Sequence, residues 1–330
     1  MRRDILIFGQ GLAGTWLAWE CERAGISFVI SDAGQREPPA SRVAAGIVNP
    51  ITGRRLVKSW RIDSLLPAAR AAYRELEGAL ETELWRRMRL RRIFRDDRER
   101  RIFGEKRVRG DLAPFAGQAD EAGFWVEEAA RVDVVALLDS AAARWKAQGH
   151  WLDGPMSLAA AEARADLVID CRGIATTREV AWARVPWEYS RGEILELTIE
   201  GLDPDVILNR GHWLLPVGPG LAWVGATHDP GVTTATTTAE ARATLSVSAA
   251  ELLDGRAFEV ARQFSGVRVN LPDKQPVAGR HPSTARLGVL NGLGAKGVWL
   301  APMLARQWVN HLTAGVPFDV EVDVARFNPR

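Results

Sequence analysis

Residues 4–32 decide the fold. They open Asp4-Ile5-Leu6-Ile7-Phe8-Gly9-Gln10-Gly11-Leu12-Ala13-Gly14 and close, past Gly25, on Ser27-Phe28-Val29-Ile30-Ser31-Asp32. Residues 4–8 are compact, apolar and ended by glycine, which reads as a short buried strand. Residues 11–24 read as a helix stopped by Gly25, and 27–30 as a second strand. Strand, glycine turn, helix and strand in this order form the first half of a parallel α/β sheet. Gly9 suits the tight turn, Gly11 lets the backbone approach a pyrophosphate, and Gly14 lets helix and strand pack closely. Leu12 and Ala13 open the helix, whose free N–H groups and dipole attract phosphate. Asp32 ends the second strand, 18 residues after Gly14. A carboxylate there accepts both hydroxyls of an adenosine ribose and repels a 2′-phosphate. Ala33 follows it and is counted with the same site.

Outward from this unit, the apolar spacing of Leu65, Leu66, Ala69, Tyr73, Leu76 and Leu80 predicts a helix over 63–82. The arginine-rich stretch after it is mixed, with short apolar pieces at 90–94 and 102–103. An amphipathic helix is expected over 132–148, ended by Gly149, and a buried strand over 166–170. From Arg191 the texture changes. Short strands at 194–199, 206–208, 213–216 and 221–226, punctuated by Gly and Pro, predict an antiparallel meander. A helix over 238–253, strands over 258–269 and 287–290, and a long helix over 294–312 complete the chain. The layout predicts a discontinuous dinucleotide-binding domain (1–62, 125–185, 265–330). A discontinuous, β-rich substrate domain (63–124, 186–264) interrupts it.

Composition narrows the class. The 330 residues are 47% hydrophobic and 25% charged, with 30 Gly and 17 Pro. That is globular, and excludes collagen, coiled coil and disorder. No apolar run reaches the roughly 18–20 residues of a membrane helix, so no membrane insertion is expected. The short apolar stretch after Met1-Arg2-Arg3-Asp4 runs into glycines, unlike a signal peptide. Cys21 and Cys171 cannot build a disulfide framework, so a reducing, cytoplasmic setting is expected. The five His and two Cys show no metal-ligand spacing, so no metal site is expected. A net charge of +2 argues against a protein devoted wholly to nucleic acid. The charge is uneven, though: residues 84–109 hold eleven arginines and one lysine against four acids.

Four further segments carry a resemblance. Ser41-Arg42-Val43-Ala44-Ala45-Gly46-Ile47-Val48-Asn49-Pro50 resembles the segment beside the flavin in the D-amino acid oxidase family (glycine oxidase and sarcosine oxidase-like). Asp166-Leu167-Val168-Ile169-Asp170-Cys171-Arg172-Gly173 resembles that family's strand ending in Ala-Thr-Gly, with Cys-Arg in place of Ala-Thr. The run from Gly266-Val267-Arg268-Val269-Asn270-Leu271-Pro272 to Pro282 is similar to a glycine oxidase segment, with Val269 where the family has proline. Gly292-Leu293-Gly294-Ala295-Lys296-Gly297, followed by Leu300-Ala301-Pro302, resembles the terminal flavin-contacting turn and helix. These occur in the family's order from end to end. The N-terminal fingerprint is similar to its long form in FAD-binding proteins of the glutathione-reductase class.

The resemblance implies an α/β protein with a Rossmann-like FAD-binding domain and an antiparallel substrate domain. It implies non-covalent FAD contacted by Gly9, Gly11, Leu12, Ala13, Gly14, Asp32, Ala33, Ser41, Arg42, Ala45, Gly46, Gly173, Gly292, Gly294, Ala295, Lys296 and Gly297. It places a substrate carboxylate on Arg268, whose planar fork matches it, with Lys296 assisting in catalysis. Arg54, Tyr189 and His212 are expected to line the substrate pocket. The implied activity is oxidation of the C–N bond of a small amino acid or secondary amine, with hydride passing to flavin N5. Two alternatives stand beside it. One is oxidation of a carboxymethylaminomethyl-type modified tRNA wobble uridine, motivated by the basic segment. The other is a catalytically silent flavin-binding subunit. A NAD-only dehydrogenase is a further option.

Overall fold

The structure is a computed structural model and describes residues 3–32 and 39–327; Ala33 lies outside them. Six strands form the first sheet, in the order Trp151–Leu152, Phe28–Ser31, Arg3–Phe8, Ala165–Asp170, Thr284–Asn291, Val277–His281. The first five run parallel and the last is antiparallel. Side chains leave a strand on alternate faces, and both faces here are covered. Ile5 and Ile7 pack toward the helix Leu12–Arg23, with Trp16 and Leu17 buried beside them. Leu6 and Phe8 pack on the other side with Val168, Trp182 and Val324. Two-sided burial is why residues 4–8 and 166–170 read as continuous apolar runs rather than alternating ones.

The helix Ile62–Leu80 lies in the first of these cores. Its Tyr73 ring meets Trp16 edge-on at 4.8 Å. The helix Gly297–Ala314 packs there too, through Leu300, Leu304 and Trp308. This brings the C-terminal helix against the N-terminal one.

The second sheet has nine strands. Its order is Asp229–Pro230, Glu188–Thr198, Leu221–Gly225, His212–Gly218, Val206–Arg210, Arg89–Ile93, Gly123–Val126, Ala116–Ala119, and Glu259–Asn270 pairs with Glu188–Thr198. The helix Ala239–Leu252 covers one face, burying Leu195, Leu197, Leu214 and Val224. The sheet is not purely antiparallel as expected: Val206–Arg210 pairs in parallel with Arg89–Ile93. The mixed arginine-rich stretch resolves into the strands Trp85–Arg87 and Arg89–Ile93 and the helix Asp97–Arg109, capped by Asp96. Sequence reasoning missed the hairpin Ala116–Ala119 with Gly123–Val126, because Ala116-Gly117-Gln118-Ala119 carries no apolar alternation. The last helix starts at Gly297 rather than at residue 294, because Gly294 sits at φ +55° in the preceding turn. No helix among the described residues is long and apolar enough to cross a membrane.

Candidate active site

The carboxyl ends of the parallel strands face the uncovered side of the second sheet across a cavity of about 550 Å³. Open parallel sheets take ligands at such strand ends, where connections diverge to either side. From Arg3–Phe8, one neighbouring strand lies on each side, Phe28–Ser31 and Ala165–Asp170.

Close backbone packing builds the first end of the cavity. A Cβ on Gly14 would lie 1.8 Å from the Gly9 carbonyl oxygen, so only glycine lets this helix sit on this turn. Gly11 caps the helix without a side chain, and the Leu12 N–H donates to Ser41 Oγ at 3.1 Å. The Gln10 N–H donates to Asp32 Oδ1 at 3.1 Å, which orients that carboxylate at the cavity edge. Gln10 itself is held from below, its Nε2 donating to Leu138 O at 2.8 Å.

The second end of the chain arrives beside it. Lys296 caps the last helix with no side-chain hydrogen bond, and Gly297 begins it. A Cβ on Gly297 would stand 2.9 Å from Leu12 Cδ1, so the starts of the first and last helices pack directly together. Both open into the same cavity. Lys296 is half-buried, and burial lowers its pKa from the ordinary lysine value. No carboxylate among the described residues pairs with it.

Strand register assembles the chamber floor. Ile194, Gly225, Trp213, Asn209 and Arg92 stand opposite one another across five strands. Directly opposed residues share a face, and Ile194, Trp213, Asn209 and Arg92 line the cavity. Arg268 reaches onto this floor from the neighbouring strand. A Cβ on Gly192 would lie 2.2 Å from Arg268 Nη2, so the guanidinium occupies space that any other residue would fill. Burial lowers the Arg268 pKa, and the Asp229 charge pulls it back up. Its one hydrogen bond among the described residues is long, 3.5 Å from Nη1 to Thr227 O. No carboxylate among those residues lies within ion-pair distance.

The other cations lining the cavity differ in their company. Arg172 holds Asp170 through two bonds of 2.9 and 2.7 Å, reaches Glu179 at 2.8 Å, and lies 3.9 Å over the Phe8 ring. Cys171-Arg172 thus form a braced strand end, with the buried Asp170 also receiving Thr176 Oγ1 at 2.7 Å. Arg92 is buried, ion-paired with Glu99, and donates to Asn209 Oδ1 at 3.0 Å and Gly53 O at 3.2 Å. Among the described lining residues, Asp32 is the one carboxylate, against Arg92, Arg95, Arg172, Arg268 and Lys296.

Of the residues expected at the site, Gly9, Gly11, Leu12, Ala13, Asp32, Ser41, Ala45, Gly46, Gly173, Gly294, Ala295, Lys296, Gly297 and Arg268 line this one cavity. Gly14 and Gly292 lie behind the lining; a Cβ on Gly292 would strike Leu271 Cδ1 at 2.3 Å. Arg42 is not in the lining and pairs with Asp139 on the helix Val134–Ala147. The expected pocket residues Tyr189 and His212 are also displaced, for a reason of period. Each stands an odd number of residues from a cavity-facing neighbour, Gly192 or Trp213, and so leaves the opposite face. His212 Nδ1 accordingly meets Ser248 Oγ at 2.7 Å on the covering helix. Arg54 is exposed beyond the lining residues Thr52 and Gly53. Missed by the sequence reading were Gln10, Arg92, Arg95, Asn209 and Trp213. Arg92 did leave a signal. It alternates with Leu90 on a strand whose other inward position is apolar, and Glu99 follows seven residues later.

A profile of the FAD dependent oxidoreductase family (DAO) matches residues 4–310, and the chain belongs to that family. It is 29% identical over 328 residues to the tRNA 5-methylaminomethyl-2-thiouridine biosynthesis bifunctional protein of Maricaulis maris (strain MCS10), covering 95% of this chain and 52% of that protein. The chain thus spans about half the length of the curated relative it matches. In fold it is similar to iminodiacetate oxidase from Chelativorans sp. BNC1 (TM-score 0.79, 23% identity, 99% of each chain covered). It is likewise similar to glycine oxidase from Geobacillus kaustophilus (TM-score 0.78, 19% identity, 97% of each chain). The family implies FAD, and the donor set fits it: two helix starts whose N-cap residues, Gly11 and Lys296, give no side-chain cap, a carboxylate set by a backbone N–H, and an excess of cations.

Proposed function

We propose that this protein oxidises the C–N bond of an amine that carries a carboxylate, with non-covalently held FAD as the oxidant. The observation that carries the reading is Arg268: a guanidinium drawn out of water, facing the cavity, with no carboxylate partner among the described residues. Burying a charge without its counter-ion is costly, and a bound carboxylate removes that cost through paired charge-assisted hydrogen bonds.

Each end of the site has its own task. Asp32 would take the ribose hydroxyls, and the turn Gly9–Gly14 with Ser41 would receive the pyrophosphate. The last helix start, with Lys296, would lie on the side of the isoalloxazine and would favour negative charge there. When bound, FAD supplies the two-electron acceptor for hydride from the carbon next to nitrogen. Arg268 and the Ile194–Trp213 floor hold that carbon in place, a proximity contribution. With the nitrogen lone pair able to form the C=N bond as hydride is lost, the chain would need to supply no base there. No histidine, glutamate or tyrosine stands among the described lining residues. Cys171 also lines the cavity, but burial and Asp170 hold its thiol protonated, which supports non-covalent attachment. Purified protein should be yellow, lose its flavin on denaturation, and form an imine-derived aldehyde or keto acid from a carboxylated amine. Flavin that stays with the denatured chain contradicts the non-covalent reading.

A second reading, in which the amine sits on a tRNA wobble uridine, is favoured by the 29% identical relative. Its surface would be the helix Asp97–Arg109, where Arg98, Arg101 and Arg107 are exposed. Much of the basic segment is otherwise neutralised: Arg86, Arg89 and Arg91 pair with Asp205, Asp203 and Asp120. Charge reversal at Arg98, Arg101 and Arg107 should abolish salt-sensitive tRNA binding. Absence of any such binding at low salt removes this reading.

A further inference from the structure

We propose that the substrate amine carries a second oxyanion on its other arm, received by Arg95 on the opposite flank of the chamber floor from Arg268. This rests on the oxidase reading above and adds the substrate's second charge. Each of the two guanidinium groups lies over a glycine of the floor, Arg268 closely and Arg95 at contact distance over a turn glycine. Arg268 lies over Gly192, and Arg95 lies over Gly211, where a Cβ would stand 3.3 Å from Cδ and 3.4 Å from Nη1. Both glycines line the cavity, as do both arginines. The floor thus leaves a side-chain-free seat under each cation.

Arg95 also has charge to spare. Arg92 and Arg95 share the single carboxylate of Glu99. Arg92 Nη2 takes Oε1, while Oε2 receives the Arg95 backbone N–H at 2.9 Å and lies 3.6 Å from Arg95 Nε. No described residue takes the Arg95 terminal nitrogens. Burial lowers the Arg95 pKa; the Glu99 charge and hydrogen bond pull it back up, and the Arg92 and Arg54 charges lower it further. An anion at the terminal nitrogens adds to what Glu99 supplies at Nε and offsets the burial and the Arg92 and Arg54 charges.

Separation sets the substrate's size. Gly192 lies on Glu188–Thr198, and Gly211 in the turn joining Val206–Arg210 to His212–Gly218. Two to three interstrand steps lie between them, roughly 10–14 Å along the sheet. A bare α-amino acid has one carboxylate and occupies one seat. A secondary amine with a carboxymethyl arm and an anionic second arm occupies both. The second oxyanion is either a carboxylate or the phosphate of a nucleotide.

The test uses unreactive thioethers, binding to the flavin-loaded protein being read by calorimetry. The probes are (methylthio)acetate, thiodiacetate and homologues with a progressively longer second arm. With them go 5-(carboxymethylthiomethyl)uridine and its 5′-phosphate. The best dianion should bind roughly ten- to a hundredfold more tightly than its monoanionic counterpart, the worth of one charge-assisted pair. Arg95→Gln should remove most of that preference and Arg95→Lys should keep part of it, whereas Arg268→Gln should weaken every probe. A winning diacid identifies a carboxylate, and a winning nucleotide over its nucleoside identifies a phosphate. Equal binding of mono- and dianions by the unaltered protein overturns the proposal, as does a preference that survives Arg95→Gln. If Arg268→Gln leaves (methylthio)acetate binding unchanged, the oxidase reading itself fails. Residual (methylthio)acetate binding by the Arg95 variants reports that they are folded.

Discussion

The two ends of the cavity are built by different means. At the dinucleotide end, neighbouring residues in sequence make the surface: Gly9, Gly11 and Gly14 shape it by what they lack, and Gln10 aims Asp32 with a backbone N–H. At the chamber end, residues from distant strands meet in one cross-strand row, and side chains make the surface. Within that chamber, Arg92 and Arg268 show a second contrast. Arg92 is spoken for by Glu99, Asn209 and Gly53, while Arg268 has no carboxylate partner among the described residues. A paired arginine holds the wall together; an unpaired one awaits a ligand.

The sharpest way to break this contrast is at the dinucleotide end. Gly14→Val puts side-chain atoms into the Gly9 carbonyl, which exceeds the cost of ordinary overpacking, about 1–3 kcal/mol. It should yield protein that neither folds cooperatively nor retains flavin, as read by thermal unfolding and absorbance. Next comes the paired arginine. Glu99→Gln strands Arg92 as a buried uncompensated charge and should cost about 3–5 kcal/mol of stability. Arg268→Gln removes a buried charge that has no counter-ion and should raise the melting temperature of the unliganded protein rather than lower it. If Glu99→Gln is as benign as Arg268→Gln, the two arginines do not differ as described. For activity the order reverses: Arg268→Gln should lose about 2–4 kcal/mol of transition-state binding in kcat/KM for a carboxylated amine.

The smallest effect concerns Lys296. Its pKa is depressed in the folded state, so the native protein holds fewer protons than the unfolded chain between that depressed value and the ordinary one. Stability of flavin-stripped protein should therefore rise with pH across that window. Lys296→Met should be the more stable form at neutral pH, with its advantage shrinking as pH rises. A constant difference in melting temperature would show that Lys296 is not held as a desolvated cation.

The contrast also explains what could be read from the chain beforehand. The parallel sheet was legible, because two-sided burial writes itself as uninterrupted apolar runs such as residues 4–8 and 166–170. The glycine turns were legible because a close backbone approach permits one residue type. The chamber was not. Whether Arg92, Trp213 or His212 faces the cavity depends on strand register, and a shift of one residue exchanges the two faces. His212 and Tyr189 were expected in the pocket from their place in the β-rich domain, and the pleat turns both away. Arg42 sits within a segment that does border the cavity, yet Asp139 on a separate helix draws its side chain off. The basic segment divides between two settings that its charge density does not distinguish: its strand places Arg92 in the cavity wall, and its helix exposes Arg98, Arg101 and Arg107.

Anaerobic titration of the purified protein, with flavin absorbance as the readout, tests the central claim most directly. A secondary amine bearing a free carboxymethyl group should bleach the flavin, and the methyl ester of the same amine should not. Colourless protein that takes up no FAD, or equal bleaching by acid and ester, would contradict the account.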